Sequence, residues 1–125
     1  MSTQIKTNTR FRLFVGDTGA LPTNRNYLVF KWTEPDTHVL FSVSQQGKGL
    51  RVHFTADKKS LRKMKQAVCE FCDFCFKFFW YSEMLFAIIP KEKPGIIRFT
   101  KRCGFKRLFS YKELITLVKE KPCHL

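Results

Sequence analysis

Apolar side chains recur at every second position in short runs up to residue 55, and from residue 61 they recur at every third or fourth position. The first spacing puts alternate side chains on opposite faces of a strand, and the second lines one face of a helix. Phe11 to Val15, Tyr27 to Trp32, His38 to Val43 and Leu50 to Thr55 therefore read as strands. They are separated by a Gly16 to Asn24 loop, by Glu34-Pro35-Asp36 and by Gln45-Gln46-Gly47-Lys48-Gly49, all rich in turn formers. Such spacing predicts an antiparallel meander. The helical stretch carries Leu61, Met64, Val68, Phe71, Cys72, Cys75, Phe78 and Phe79 on one side, with Lys63, Gln66, Glu70, Asp73 and Lys77 elsewhere. One long amphipathic helix is predicted from about Lys58 to Phe79, capped by Asp57, with Leu61, Met64, Val68, Phe71, Cys72 and Phe78 against the sheet.

Met84 to Ile89 follows as a buried strand, and Pro90 to Lys93 as a turn. Pro94 then suits a first helical turn, where its missing N–H would be unsatisfied anyway, and Gly104 suits the left-handed residue that ends a helix. A short helix with Ile96, Ile97, Thr100 and Cys103 on one face lies between them, and Phe105 can fold back on its last turn. Tyr111 to Lys119 reads two ways: Ser110 and Glu113 make a capping box for a helix, whereas Ile115, Thr116 and Val118 favour a strand. The polar residues 1–10 read as a flexible N-terminus ahead of a single domain over 11–125.

A chain of 125 residues has room for one core, which 14 Phe make aromatic. No apolar run is long enough to span a bilayer, and Met1 to Lys6 lacks the apolar stretch of a signal peptide, so the protein is expected in the compartment where it is made. Five cysteines, an odd number without an export signal, argue for reduced thiols. Cys69-x-x-Cys72-x-x-Cys75 has zinc-like spacing, but on a continuous helix these thiols drift along one side instead of converging, so they read as core packing and no metal ligand is assigned.

Net charge is +13, from 23 Lys and Arg against 10 acids. That excess creates a field suited to a polyanion or an acidic protein. Lys58, Lys59, Arg62, Lys63 and Lys65 form one basic cluster, and Lys91, Lys93, Arg98, Lys101, Arg102, Lys106 and Arg107 form another. Each can equally be a solvated helix face. Non-specific DNA contact needs only such residues, whereas zinc-finger spacing, a helix-turn-helix signature and an RNP string are all missing.

The segment from Lys93 to Phe105 resembles the late helix of the GNAT N-acetyltransferase family, whose pattern is roughly Asn-Pro-x-Ala, Leu-Tyr, three residues, then Gly-Phe. The order meander, long helix, strand, short helix and final element, over about Tyr27 to Lys119, is similar to that family from its second strand onward. This resemblance implies an α+β GNAT-like domain, with a mostly antiparallel mixed sheet and one long and one short helix packed on it. Ile97-Arg98-Phe99-Thr100-Lys101 is similar to a string in phage-encoded GNAT-like virion proteins, the head-assembly proteins of lambdoid short-tailed phages among them.

In active members of the family, a glycine-containing loop before the long helix cradles the cofactor pyrophosphate, and a Tyr on the short helix protonates the departing thiolate. Here the loop is Thr55-Ala56-Asp57-Lys58-Lys59-Ser60-Leu61, without glycine, and Thr100 holds the Tyr position. Cys103 and Tyr111 are the nearby alternatives, and for an amine substrate Glu34, Asp36 or His53 could serve as base. A lone strand His also reads as a structural residue. The resemblance therefore implies a degenerate acetyltransferase with no catalytic residue and no cofactor, a virion head-assembly protein of the host cytoplasm and the virion. Its partners would be other virion or head proteins, docked on Lys91, Lys93, Arg98, Lys101 and Arg102. The alternatives are an acetyl-CoA-dependent N-acetyltransferase with an atypical cofactor loop, using Lys58, Lys59 and Ser60, and a basic DNA-binding accessory protein.

Overall fold

Alternation along the strand Val39–Gln46 sends Val39, Phe41 and Val43 to one side of the sheet and Leu40 and Ser42 to the other, all five buried. A computed structural model of the protein describes residues 10–19, 21 and 26–122. The expectations for residues 1–9, and for Ala20 and Pro22 to Asn24 of the first loop, lie outside those residues. Strands β1 (Phe11–Leu13), β2 (Leu28–Trp32), β3 (Val39–Gln46) and β4 (Gly49–Ala56) form the antiparallel meander. A 3-10 helix (Lys58–Lys63) and α1 (Met64–Phe78) follow, then β5 (Met84–Pro90), α2 (Pro94–Arg102), β6 (Lys106–Tyr111) and β7 (Leu114–Glu120). The strand order is β1-β2-β3-β4-β5-β7-β6, and β4–β5 is the parallel pair. The chain is thus a single α+β domain with a mostly antiparallel mixed sheet and two α-helices, as expected.

Three readings differ from the structure. The long helix begins with 3-10 turns, whose three-residue period rotates Leu61 off the α1 face and leaves it 55% exposed. Phe78, at the helix end, is 58% exposed, and Phe76 and Cys75 take the buried places instead. Of the two readings of Tyr111 to Lys119 the strand holds from Leu114 on, but Tyr111 ends β6, and β6 and β7 form a hairpin around Lys112 and Glu113, with Lys112 at φ 53°. No Gly or Asn marks that turn, so β6 carried no hairpin signal.

Met64, Ala67, Val68, Phe71, Cys72, Cys75, Phe76 and Phe79 follow the i, i+3, i+4 spacing and pack on the face that carries Phe30, Trp32, Phe41, Leu50, Leu85 and Leu117. Arg10 ties the chain entering β1 to the helix. Its guanidinium donates to both Glu70 oxygens at 3.1 and 3.0 Å, and Trp32 Nε1 donates to Glu70 at 3.0 Å. The short helix ends as its glycine requires: Gly104 N donates to Lys101 O at 3.0 Å and Phe105 N to Thr100 O at 3.3 Å, with Gly104 at φ 101°. Phe105 is buried behind it.

The feature that positions a site is the junction of β4 and β5. Their ladder covers only Gly49, Arg51 and the residue between them, paired with Met84 to Phe86, although β4 runs on to Ala56 and β5 to Pro90. The two strands therefore separate beyond Arg51. At the closed end the backbones press together: a Cβ on Gly49 would lie 2.6 Å from Met84 O and 2.8 Å from the Phe86 ring. Gly49→Ala is accordingly expected to cost about 1–3 kcal/mol by overpacking. Chemical denaturation checks it, and an unchanged midpoint would mean that the strands yield freely here.

Candidate functional site

A cleft of about 410 Å³ opens where β4 and β5 separate. Val52 and Phe54 of β4, Ala87 and Ile89 of β5, and Leu61 and Phe99 of the helical segments give it apolar walls. His53 and Thr55 reach it from the other sheet face, and Lys93 and Thr100 stand on the α2 side. Such a wedge between parallel strands can receive an extended chain, because the ladder no longer fills the space between them.

His53 is the titratable group whose environment best suits chemistry here. It is half-buried, its Nε2 has no hydrogen-bond partner, and its ring lies 6.0 Å from that of Tyr27. Burial lowers its pKa from the ordinary 6.5, and the positive charge of Arg51 lowers it further. The imidazole is therefore neutral at pH 7 and able to accept a proton.

The other candidate bases are engaged elsewhere. Glu34 pairs with Lys63 at 3.1 Å and Arg10 at 2.6 Å, and the Lys63 hydrogen bond leads the effects that hold its carboxyl below the ordinary value. Asp36 sits exposed in a turn at φ 62°. The candidate acids fare no better. Thr100 is 6% exposed, and its hydroxyl donates to Ile96 O at 2.8 Å. Burial pushes the Cys103 thiol up to about 11, and Tyr111 is 66% exposed on the edge strand. Cys72 and Cys75 belong to the core, where burial raises the Cys72 thiol to about 12.

The loop before the long helix is arranged for its own cap. Ser60 N donates to Asp57 Oδ1 at 3.2 Å, Ser60 Oγ donates to the same oxygen, and His38 N donates to Ser60 Oγ at 2.9 Å. Ser60 is 1% exposed. Of the three residues expected to meet a cofactor there, Ser60 is thus turned into the structure, whereas Lys58 and Lys59 are exposed. Lys91, Lys93, Arg98, Lys101 and Arg102 are also exposed, on α2 and the turn before it. Lys93 adjoins the cleft.

The residues fit acetyl-CoA unevenly. The open wedge and its apolar walls suit a thin, flexible chain ending in a thioester. The helix entrance has no glycine to bring its backbone close to a pyrophosphate, and the Ser60 N–H there is drawn to Asp57.

No family model matches the chain, and no curated protein sequence is similar to it. Solved structures share the fold. The N-acetyltransferase PseH of Campylobacter jejuni superposes with a TM-score of 0.67 at 12% identity, over 79% of this chain and 71% of that one. The same enzyme in complex with acetyl coenzyme A gives 0.63 over the same shares, also at 12% identity. A dodecameric spermidine N-acetyltransferase of Vibrio cholerae gives 0.66 at 8% identity, over 82% of this chain and 69% of that one.

These neighbours correct the expected function. They are N-acetyltransferases, one of them solved with acetyl-CoA, and nothing among them points to a phage particle. The virion assembly role, the virion location and the absence of a cofactor therefore have no support. No helix among the described residues is long and apolar enough to cross a membrane.

Proposed function

We propose that the protein is an acyl-CoA-dependent N-acyltransferase, with acetyl-CoA as the acyl donor and an amine as acceptor. The observation that carries this reading is the wedge between β4 and β5, which ends at Arg51 and places an unpartnered, neutral His53 at its edge. The GNAT fold shared with acetyltransferases supports the same reading.

When bound, acetyl-CoA supplies a thioester carbonyl open to attack by an amine. Val52, Phe54, Ala87 and Phe99 would enclose its acyl-bearing arm and keep water from the reacting end. Lys58 and Lys59, both exposed at the helix entrance, would hold its phosphates through side chains in place of a backbone cradle. His53 accepts the proton that an ammonium group carries, leaving the nitrogen lone pair free to attack. Thr100 contributes no proton, since its hydroxyl is bound to Ile96 O, so the sulfur leaving group would depart as a thiolate and take its proton from solvent. Lys91, Lys93, Arg98, Lys101 and Arg102 form a basic rim beside α2 that draws anionic ligands toward the cleft.

Calorimetric titration tests the donor site. Acetyl-CoA should bind more tightly than pyrophosphate or ATP, which carry its charge without its arm. Ala87→Phe, which fills the wedge, should weaken acetyl-CoA binding by about tenfold or more while leaving pyrophosphate binding alone. Equal affinity for all three ligands would reduce the cleft to a generic anion surface.

A further inference from the structure

Arg51 is half-buried and has no ion-pair partner among the described residues. It lies on β4 two residues before His53, so both side chains stand on the sheet face opposite α1. Its Nε–H is buried and unbonded. The ion pairs among the described residues are Arg10 with Glu34, Arg10 with Glu70, and Lys63 with Glu34, none of which involves it.

Two more polar atoms beside it are in the same condition. Ser42 is directly across from His53 in the β3–β4 register, is 0% exposed, and has an Oγ with no partner. His53 Nε2 is the third. Buried polar groups are normally satisfied, so three unpartnered ones side by side on two neighbouring strands make this the face on which a ligand would gain most from hydrogen bonding.

The charge of this face gives the sign of that ligand. By the strand registers, Arg12, Lys31, Arg51 and Lys106 lie on it against one acidic strand residue, Glu120, which pairs with Met84. A cationic acceptor would meet repulsion from Arg51. An anion meets a guanidinium that no acid among the described residues neutralises.

We infer that the acceptor is an amine that also carries a carboxylate or phosphate group, with the anion on the part-exposed Arg51 guanidinium and the amine beside His53. This rests on the acyl-transfer reading above. The spacing along the strand separates the two functions: Arg51 holds, and His53 two residues on takes the proton. Arg51 is a specificity residue, and it has no part in bond making.

Proton–nitrogen NMR of the Arg51 Nε–H group, without acetyl-CoA, gives a binding readout independent of turnover. β-Alanine and O-phosphoethanolamine should each move that resonance, and the larger shift identifies the preferred anion. Ethanolamine and spermidine should not move it. In acetyl-transfer assays Arg51→Ala should raise KM for the anionic amines by about 30-fold or more, with a smaller fall in kcat, and Arg51→Lys should restore part of the loss. A resonance that ignores both anions overturns the proposal, as does spermidine used as well as the anionic amines. Anion binding without any acetyl transfer would leave this site standing and remove the acyl-transfer reading. Transfer to amines regardless of their charge would do the reverse.

Discussion

Phe71→Ala should cost about 3–5 kcal/mol of stability, the largest loss expected from any single truncation in this core. Phe71 is 2% exposed and stacks on Phe41 with ring centroids 4.1 Å apart and planes at 12°. It also meets Phe11 edge-on at 5.3 Å and Phe30 at 6.2 Å, so one ring joins β1, β2 and β3 to α1. Removing it leaves a void walled by aromatic rings too rigid to collapse into it. Phe78→Ala is the control, because a side chain 58% exposed at the helix end should lose about 1 kcal/mol or less. Urea denaturation of both variants decides the matter. Similar losses at the two positions would mean that the helix does not sit on the sheet by the face described.

Why the helix face was legible, and its ends were not, follows from the same residues. Met64, Val68, Phe71 and Cys72 repeat at a spacing that one helix period explains. Leu61 obeys that spacing too, but it lies in a 3-10 segment that Asp57 and Ser60 hold in place, and no periodicity marks where one helix type gives way to the other. The strands up to Ala56 were legible because Pro35, Asp36 and Gly47 separate them, whereas the hairpin at Lys112 hides its turn behind a charged residue at positive φ.

The candidate site was legible only in fragments. The missing glycines before the long helix and the Thr in place of Tyr can be read directly, and both describe what the chain lacks. What it has is non-local. His53 is an unremarkable strand residue until the β4–β5 ladder stops at Arg51, Ser42 comes opposite it, and Tyr27 closes over its ring. Those relations join residues 11 to 35 positions apart, beyond the reach of any local pattern. Ser60 shows the opposite failure, since its place beside two lysines suggests a phosphate ligand and its hydroxyl is spent on Asp57.

His53→Gln should lower kcat/KM for acetyl transfer by about 10²- to 10⁴-fold, the range for loss of a positioned base. Glutamine keeps a polar group of similar size, so the melting temperature should change little, and binding of acetyl-CoA should persist because the apolar walls are untouched. The pH profile gives the sharper test. Catalysis needs the neutral imidazole, and burial together with the charge of Arg51 sets its pKa below 6.5. Activity should therefore rise with pH through a point below 6.5 and stay level above it, and the wild-type acid limb should vanish in the glutamine variant. The direction of that limb separates two roles. A histidine that bound the acceptor as an imidazolium would lose activity as pH rises, so a profile falling between pH 5.5 and 7 would remove His53 from its place as the base.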